Sequence, residues 1–99
     1  MILIRDVFQL KFGKARDALA VWKEMADHAK KAGWPGQPRV LTDLVGPYYT
    51  LVMETTAKDL HSWETEMQTM LDPEWRTIYA KFTPLVEGGH REIFTVQEF

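Results

Sequence analysis

The chain has no cysteine, and its 99 residues carry a formal net charge of only −2. Without thiols, disulfides, thiolate-bound metals and a cysteine nucleophile are excluded, and the composition is typical of a reducing compartment. The small net negative charge offers no basic surface for nucleic acid or for an anionic membrane. We therefore expect a cytoplasmic protein that binds neither.

Long apolar runs are also missing. A membrane-spanning helix needs about 20 consecutive apolar residues, and no stretch of the sequence approaches that length. Charges appear already at Arg5 and Asp6, so the start does not have the pattern of a signal peptide. The 45% hydrophobic and 26% charged residues are ordinary for a globular protein. We expect one domain over residues 1–99.

The first third of the sequence predicts a strand followed by a helix. Residues 2–12 are rich in β-branched and aromatic side chains and are apolar on both faces, which is typical of an inner strand. Residues 14–32 place apolar side chains on one helical stripe, and Gly33 follows as the expected helix-ending residue. The stripe comprises Ala15, Ala18, Leu19, Trp22, Met25, Ala26, Ala29 and Ala32.

The middle of the chain predicts a loop and a β-hairpin. Residues 34–38 form the loop, because they contain two prolines and a glycine. Residues 39–45 and 48–55 have strand composition, and the Gly46-Pro47 pair between them is a turn signal. The second of these strands carries apolar residues at both odd and even positions, so we expect it to be covered on both faces.

The last part of the chain predicts two helices and an edge strand. Thr56 is a suitable N-cap for the first helix, with Asp59 in the capping-box position. The run Asp72-Pro73-Glu74 starts another helix, because Asp caps and proline fits the first helical position. Gly88-Gly89 interrupts the pattern, and residues 90–98 are polar enough for a strand at a sheet edge.

This element order, β-α-β-β-α-α-β, predicts an α+β protein with a ferredoxin-like βαββαβ fold and an extra short helix before the last strand. Helices can cover only one face of such a sheet. Because the first and third strands are apolar on both faces, a monomer would leave an apolar surface in water. We therefore expect a homodimer in which two sheets face each other as a dimeric α/β barrel.

Three stretches of the sequence carry a family resemblance. They are FQLKFGK at residues 8–14, GPYYTLV at residues 46–52, and LHSWE at residues 60–64 followed by DPEW at residues 72–75. Together they resemble the NIPSNAP-like group of the dimeric α/β-barrel superfamily, which often has proline where this chain has Phe12. The resemblance implies the fold, whereas members of this group lack a settled biochemical activity.

The wider superfamily includes cofactor-free mono-oxygenases, haem-degrading and haem-binding enzymes, and small ligand-binding regulators. Its haem-degrading branch relies on an asparagine together with a tryptophan and a histidine. This chain contains no asparagine, which argues against that chemistry and against an asparagine-assisted mono-oxygenase. A lone histidine could bind haem, but nothing in the sequence selects one, and we expect no cofactor.

Other chemistries have weak support in the sequence. Ser62, the only serine, follows His61 in a predicted helix, where neighbouring side chains point apart and cannot form a base–nucleophile pair. His61 and Glu64 share a helix face, but two residues do not make a metal site. RNA-recognition domains share this element order, yet Tyr48 and Tyr49 are not flanked by the basic residues that those domains use.

Two charges inside the first strand are the clearest functional signal. Arg5 and Asp6 lie in an apolar strand, where a charge either meets a partner or lines a cavity. The simpler interpretation is an ion pair between Asp6 and Arg91, or between Arg5 and Glu92, on the neighbouring edge strand. The alternative interpretation is a polar anchor inside an apolar ligand pocket.

From these observations we expect a pocket between the sheet and the helices that binds a small apolar or aromatic molecule. Its candidate ligand-binding residues are Arg5, Asp6, Phe8, Trp34, Tyr49, Met53 and Trp63. If the protein is instead a cofactor-free mono-oxygenase or an isomerase-like enzyme, Asp6, Tyr49 and His90 are the acid or base candidates. A structural dimerisation module is the third interpretation.

Overall fold

The computed structural model describes residues 1–35 and 38–99; Gly36 and Gln37 of the predicted loop lie outside the described residues. The chain forms β1 (Ile2–Leu10), α1 (Ala15–Ala32), β2 (Arg39–Thr42), β3 (Thr50–Ala57), α2 (Leu60–Met70), α3 (Pro73–Phe82), a 3₁₀ turn (Thr83–Leu85) and β4 (Val86–Thr95). The strands form one antiparallel sheet in the order β2-β3-β1-β4. The predicted α+β, ferredoxin-like architecture is confirmed, with the extra helix before the last strand and β4 at a sheet edge.

The helices lie against one face of the sheet. Side chains alternate along β1, and Phe8 points toward the helices, where its ring contacts those of Trp22 and Phe82. The alternate positions, beginning with Arg5 and Val7, point away from the helices. We call this second surface of the sheet the open face.

The core lies between α1, α3 and the sheet. Leu10, Ala18, Leu51 and Phe82 pack together and are each at most 1% exposed. The Phe82 ring lies edge-to-face on Phe8, with centroids 4.9 Å apart. Such aromatic pairs fill the layer between sheet and helices and add to the stabilisation from apolar burial.

Helix α1 agrees with its predicted extent. Gly33 follows it in a left-handed conformation with φ of 68°, as a C′ glycine does. The buried residues of α1 are Ala18, Met25, His28 and Ala29. The predicted stripe is therefore rotated: Leu19 and Ala26 are exposed, and His28 is buried in their place.

The hairpin differs from the prediction. β2 ends at residue 42 and β3 begins at residue 50, so residues 43–49 form a loop that contains both predicted strand tyrosines. Two local features end the strands early. Tyr49 has a left-handed φ of 58°, which does not fit a strand, and the Asp43 carboxylate accepts a hydrogen bond from the Thr50 N–H at 2.9 Å.

The start of α2 also differs. Thr56, the predicted N-cap, lies within β3, because pairing with β1 continues to Ala57. Asp59 caps the helix instead, and its side chain accepts a hydrogen bond from the Ser62 N–H at 2.8 Å. At α3 the prediction is confirmed: Asp72 accepts from the Trp75 N–H at 2.7 Å, and the helix begins at Pro73.

The first and the last strand of the chain have shifted bounds. β1 ends at residue 10 rather than 12, before a turn at Gly13 with φ of 82°. β4 runs over residues 86–95 rather than 90–98 and therefore includes Gly88 and Gly89. A Cβ atom at position 89 would lie 2.5 Å from the Val7 carbonyl oxygen, so a residue without a side chain is needed there. Close backbone approach, rather than a break, explains this glycine.

Candidate functional site

A row of alternating charges crosses the open face. The strand register places four residues side by side: Arg39, Glu54, Arg5 and Glu92. We call them the charge row. Arg39 Nη2 lies 2.6 Å from Glu54 Oε1, and Arg5 Nη1 lies 3.2 Å from Glu54 Oε2. Arg5 Nε lies 3.4 Å from Glu92 Oε1, so the predicted Arg5–Glu92 pair is confirmed.

Glu54 lies at the centre of the charge row. Its side chain is only 6% exposed, whereas those of Arg5 and Arg39 are 37% and 71% exposed. Each carboxylate oxygen accepts a hydrogen bond from a different guanidinium group. Two charge-assisted hydrogen bonds offset the cost of removing this carboxylate from water.

The next row of the open face is mainly apolar. It comprises Leu41, Val52, Val7 and His90, by the same register. We call it the apolar row. Val52 is 6% exposed, and the His90 side chain at the β4 edge is 60% exposed. A polar row and an apolar row thus lie next to each other on a surface without helices.

A cavity of about 820 Å³ lies over this surface. Its lining includes Arg5, Val7 and Gln9 of β1, and also residues of the loop 43–49 and of β4. Gln9 holds the loop in place, because its Nε2 donates a hydrogen bond to the Tyr48 carbonyl oxygen at 2.7 Å. The volume lies within the usual range of small-molecule sites, about 300–1,000 Å³.

The tip of the loop is apolar and lies in water. Leu44 and Val45 are 97% and 95% exposed, and both also line the cavity. The Thr50 hydroxyl donates to the Pro47 carbonyl oxygen at 2.9 Å, which stabilises the loop at its β3 end. The loop therefore presents two large apolar side chains beside the open face. The sequence analysis missed them because it placed both in the strand predicted over residues 39–45.

On the helix side, Asp6 pairs with Arg91, as the simpler interpretation predicted. Asp6 is 7% exposed, and both of its carboxylate oxygens accept hydrogen bonds from the Arg91 guanidinium group. That group lies over the Trp63 ring, 4.9 Å from its centroid. Burial, and then the negative charge of Asp6, raise the pKa of the Tyr79 hydroxyl.

The sequence-predicted ligand-binding residues are distributed over separate places. Asp6, Phe8, Met53 and Trp63 belong to the helix side of the sheet. The cavity described above instead lies on the open face, because aromatic rings fill the layer beneath the helices. Of the predicted ligand-binding set, Arg5 lines this cavity, and Phe8 also borders it although its ring points toward the helices.

The acid and base candidates do not come together. Asp6 and His90 belong to opposite faces of the sheet, since His90 pairs with Val7. Tyr49 lies in the loop, where its ring contacts Phe12. His90 alone of these three lines the larger cavity.

Trp34 belongs to a cluster that the sequence reading missed. Its ring lies edge-to-face on His28, with centroids 5.3 Å apart. His28 is buried, with Nε2 2.9 Å from Asp72 Oδ2 and Nδ1 3.1 Å from Glu74 Oε2. The imidazole thus joins α1 to the first turn of α3. Its position three residues after Met25 is the signal that could have placed it on the buried stripe.

Residues 1–35 and 38–99 offer neither a metal site nor a membrane-spanning helix. Nowhere in them do three or more His, Cys, Asp or Glu side chains gather in a way that could hold a metal ion. The helices in those ranges are also too short or too polar to cross a membrane.

The chain matches no protein-family model, and no curated protein sequence matches it significantly. Solved structures do match it. An uncharacterised NIPSNAP domain protein from Burkholderia xenovorans has a TM-score of 0.86 at 15% identity, over 100% of this chain and 97% of that chain. A NIPSNAP family protein with unknown function from Agrobacterium tumefaciens has a TM-score of 0.86 at 20% identity, over 100% and 90%.

A putative antibiotic biosynthesis monooxygenase from Nitrosomonas europaea is also similar, with a TM-score of 0.74 at 13% identity, over 99% of this chain and 100% of that chain. At these identities the likeness concerns the fold. Since the NIPSNAP structures align over nearly the whole chain with the higher scores, the resemblance stated from sequence is confirmed at that level: this chain has the NIPSNAP-like form of the ferredoxin-like fold.

Proposed function

We propose that this protein is a cytoplasmic, NIPSNAP-like homodimer that binds a small apolar or aromatic molecule on the open face of its sheet. The observation that carries the proposal is the 820 Å³ cavity over the apolar row. Val7, Leu41 and Val52 supply apolar walls, and Arg5 and His90 supply polar groups. Apolar walls with a few placed polar groups are the usual form of a small-molecule site.

The homodimer rests on the uncovered surface. Leu44 and Val45 are almost fully exposed beside one end of the open face, and Phe94, opposite Leu3 near the other end, is 49% exposed. Soluble monomers seldom leave so much apolar surface in water. A second copy facing the open face would cover them and close the cavity. The small-molecule site would then be completed by residues of both copies.

The charge row supports a particular arrangement of the two copies. A two-fold axis parallel to the strands exchanges the two edges of the sheet. Arg39 of one copy would then lie opposite Glu92 of the second copy, and Glu54 opposite Arg5. Opposite charges would face each other along the whole row, which favours this orientation over one that places like charges together.

The ligand proposal is tested with an aromatic probe that carries one sulfonate group. Anilinonaphthalene sulfonate should bind the purified protein, with a rise in fluorescence that saturates at one probe per cavity. Leu41→Asp places a charge in the apolar row and should weaken binding about tenfold or more, since it costs at least one apolar contact and desolvates a carboxylate.

Leu60→Asp is the matched control, because Leu60 is 54% exposed on α2, away from the cavity. It should leave the probe affinity unchanged. Equal weakening by Leu41→Asp and Leu60→Asp, or no saturable binding by the original protein, would contradict the ligand site. A dimer without probe binding would favour the structural dimerisation module.

A monooxygenase-type enzyme is the second candidate, because His90 lines the cavity and one structural neighbour is described as a putative monooxygenase. Native mass spectrometry of the purified protein would identify a retained small molecule, and oxygen consumption would then be measured with that molecule. His90→Gln should abolish turnover while probe binding persists. His61→Gln on the exposed surface of α2 is the control.

A further inference from the structure

We propose that Phe12, Tyr48, Tyr49 and Asp43 form a binding site for an organic cation, of the alkylammonium class. We call these four residues the aromatic corner. It lies where β1 ends, beside the larger cavity, with which it shares Thr42 and Asp43 as lining residues. The inference goes beyond the proposed function, which concerns an apolar ligand on the open face.

The three rings are arranged as steep walls. The Phe12 and Tyr49 centroids are 4.6 Å apart, with an angle of 64° between the ring planes. The Phe12 and Tyr48 centroids are 6.3 Å apart, with an angle of 83°. Both contacts are edge-to-face, so most of the ring faces in this group are not covered by another ring, and an ammonium group is attracted to such faces.

The three rings line an open cavity of about 370 Å³. The aromatic corner supplies four of its lining residues, and Ala15, Leu19 and Thr42 complete it. This volume is at the small end of the range of ligand sites, about 300–1,000 Å³. It therefore suits a compact group such as a methylated ammonium head.

Asp43 supplies the negative charge. Its Oδ1 accepts the Thr50 N–H, and the residue is half-buried beside the rings. Within the part of the chain that the structure describes, Asp43 forms no ion pair. The buried acids Asp6 and Glu54, by contrast, are both paired with arginines. A cationic ligand would give the Asp43 carboxylate a positively charged partner, as the arginines do for Asp6 and Glu54.

The backbone of Tyr49 is an independent observation. A bulky residue with φ of 58° is a genuine outlier, and glycine or asparagine would adopt this conformation more easily. The Tyr49 carbonyl oxygen accepts the Leu10 N–H at 2.8 Å, which holds the residue against the end of β1. Backbone strain of this kind clusters at ligand-binding sites, and here it brings the ring to Phe12.

The exposure of the other two rings points the same way. Phe12 and Tyr48 are 77% and 76% exposed. Such rings contribute little to a hydrophobic core, because most of their apolar surface remains in water. Binding of a cation would account for their position on the surface, which core packing does not.

The experiment compares two probes on the full chain. Choline carries a quaternary ammonium group, and dimethylbutanol is its neutral carbon isostere. Each is titrated while the aromatic ring protons are followed by NMR. We expect choline to shift the resonances of Phe12, Tyr48 and Tyr49 in a saturable way, and the neutral isostere to shift them little.

Two variants test the contributions of ring and charge. Phe12→Leu should weaken choline binding about three- to thirtyfold, the worth of one cation–π contact. Asp43→Asn removes the charge, keeps the acceptor for the Thr50 N–H, and should weaken choline binding by a similar factor of about ten. Phe99→Leu and Asp27→Asn are matched controls, because both residues are exposed elsewhere on the surface.

Thermal unfolding of every variant distinguishes loss of the site from loss of the fold. If Phe12→Leu is unstable, Tyr48→Leu replaces it as the variant that removes one ring. Equal binding of choline and its neutral isostere would overturn the proposal. So would folded Phe12→Leu and Asp43→Asn variants that retain full affinity, or an absence of choline shifts at tens of millimolar probe. Phe12, Tyr48 and Tyr49 are not among the residues that line the larger cavity, so Phe12→Leu should leave anilinonaphthalene sulfonate binding unchanged and the two proposals can fail separately.

Discussion

At the scale of single residues, Glu54 is the most constrained charge on the open face. Its buried carboxylate accepts hydrogen bonds from Arg5 and Arg39, and both arginines would lose a partner if it were removed. Glu54→Ala should lower the free energy of unfolding by about 2–3 kcal/mol, less than for a fully buried pair because the arginines reach water. Urea unfolding measures the change.

Glu92→Ala provides the comparison. Glu92 is at the other end of the charge row and its side chain is 40% exposed. A pair that water screens contributes little, so the expected loss is below about 1 kcal/mol. Equal losses of unfolding free energy for Glu54→Ala and Glu92→Ala would show that burial does not determine how much each ion pair of the charge row stabilises the fold.

The helix cap Asp72 gives a pH dependence with a definite sign. Accepting the Trp75 N–H lowers the pKa of the Asp72 carboxyl below its usual 3.8, and the nearby His28 lowers it further. A lowered folded-state pKa means that the carboxylate stabilises the fold above about pH 3.8 and that this contribution disappears as the pH falls through the folded-state value. Thermal unfolding between pH 5 and pH 2, about the range in which carboxylates titrate, measures it.

Asp72→Asn should flatten this acid slope, because asparagine does not titrate and still accepts the cap hydrogen bond. Asp27→Asn, an exposed residue of α1, should leave the slope as it is. If Asp72→Asn unfolds with the original pH profile, the cap is not the titrating group.

At the scale of elements, the close contact between β1 and β4 depends on one glycine. A Cβ atom on Gly89 would lie 2.5 Å from the Val7 carbonyl oxygen, whereas one on Gly88 would have nothing within 4 Å. Gly89→Ala should therefore destabilise the protein by about 1–3 kcal/mol, the usual cost of overpacking. Gly88→Ala is the neighbouring control and should change stability by less than about 0.5 kcal/mol. Similar unfolding midpoints for the two variants would contradict the close approach.

The order of the elements was predictable because hydrophobic periods and helix-start signals were unambiguous. The Asp72-Pro73 start and the Gly33 end of α1 needed only local chemistry. The bounds of the hairpin strands could not be predicted from the sequence, because a tyrosine in the left-handed conformation is rare and the composition does not indicate it. Thr56 had capping chemistry, but pairing between β1 and β3 determined its structure instead.

Only part of the candidate site could be predicted from the sequence. The pairs of Asp6 with Arg91 and of Arg5 with Glu92 followed from charges on neighbouring strands. The addition of Arg39 and Glu54 to one row required the register of β2 and β3, which the sequence does not specify without the loop length. For the same reason, the cavity could not be assigned to the correct side of the sheet.

At the scale of the whole molecule, the sheet has helices on one face and an uncovered cavity on the other. The central claim is that a second copy faces this open face. Leu44 and Val45 should then be buried in the dimer, although they are 97% and 95% exposed in one chain. Changing both to aspartate would place charges in the interface without disturbing the core of the monomer.

Sedimentation velocity at micromolar concentration tests this claim most directly. We expect the original protein and the Leu60→Asp control to sediment as dimers, and the Leu44→Asp, Val45→Asp double variant to sediment as a folded monomer. A monomeric original protein, or a double variant that remains fully dimeric, would contradict the assignment of the open face as the interface between copies.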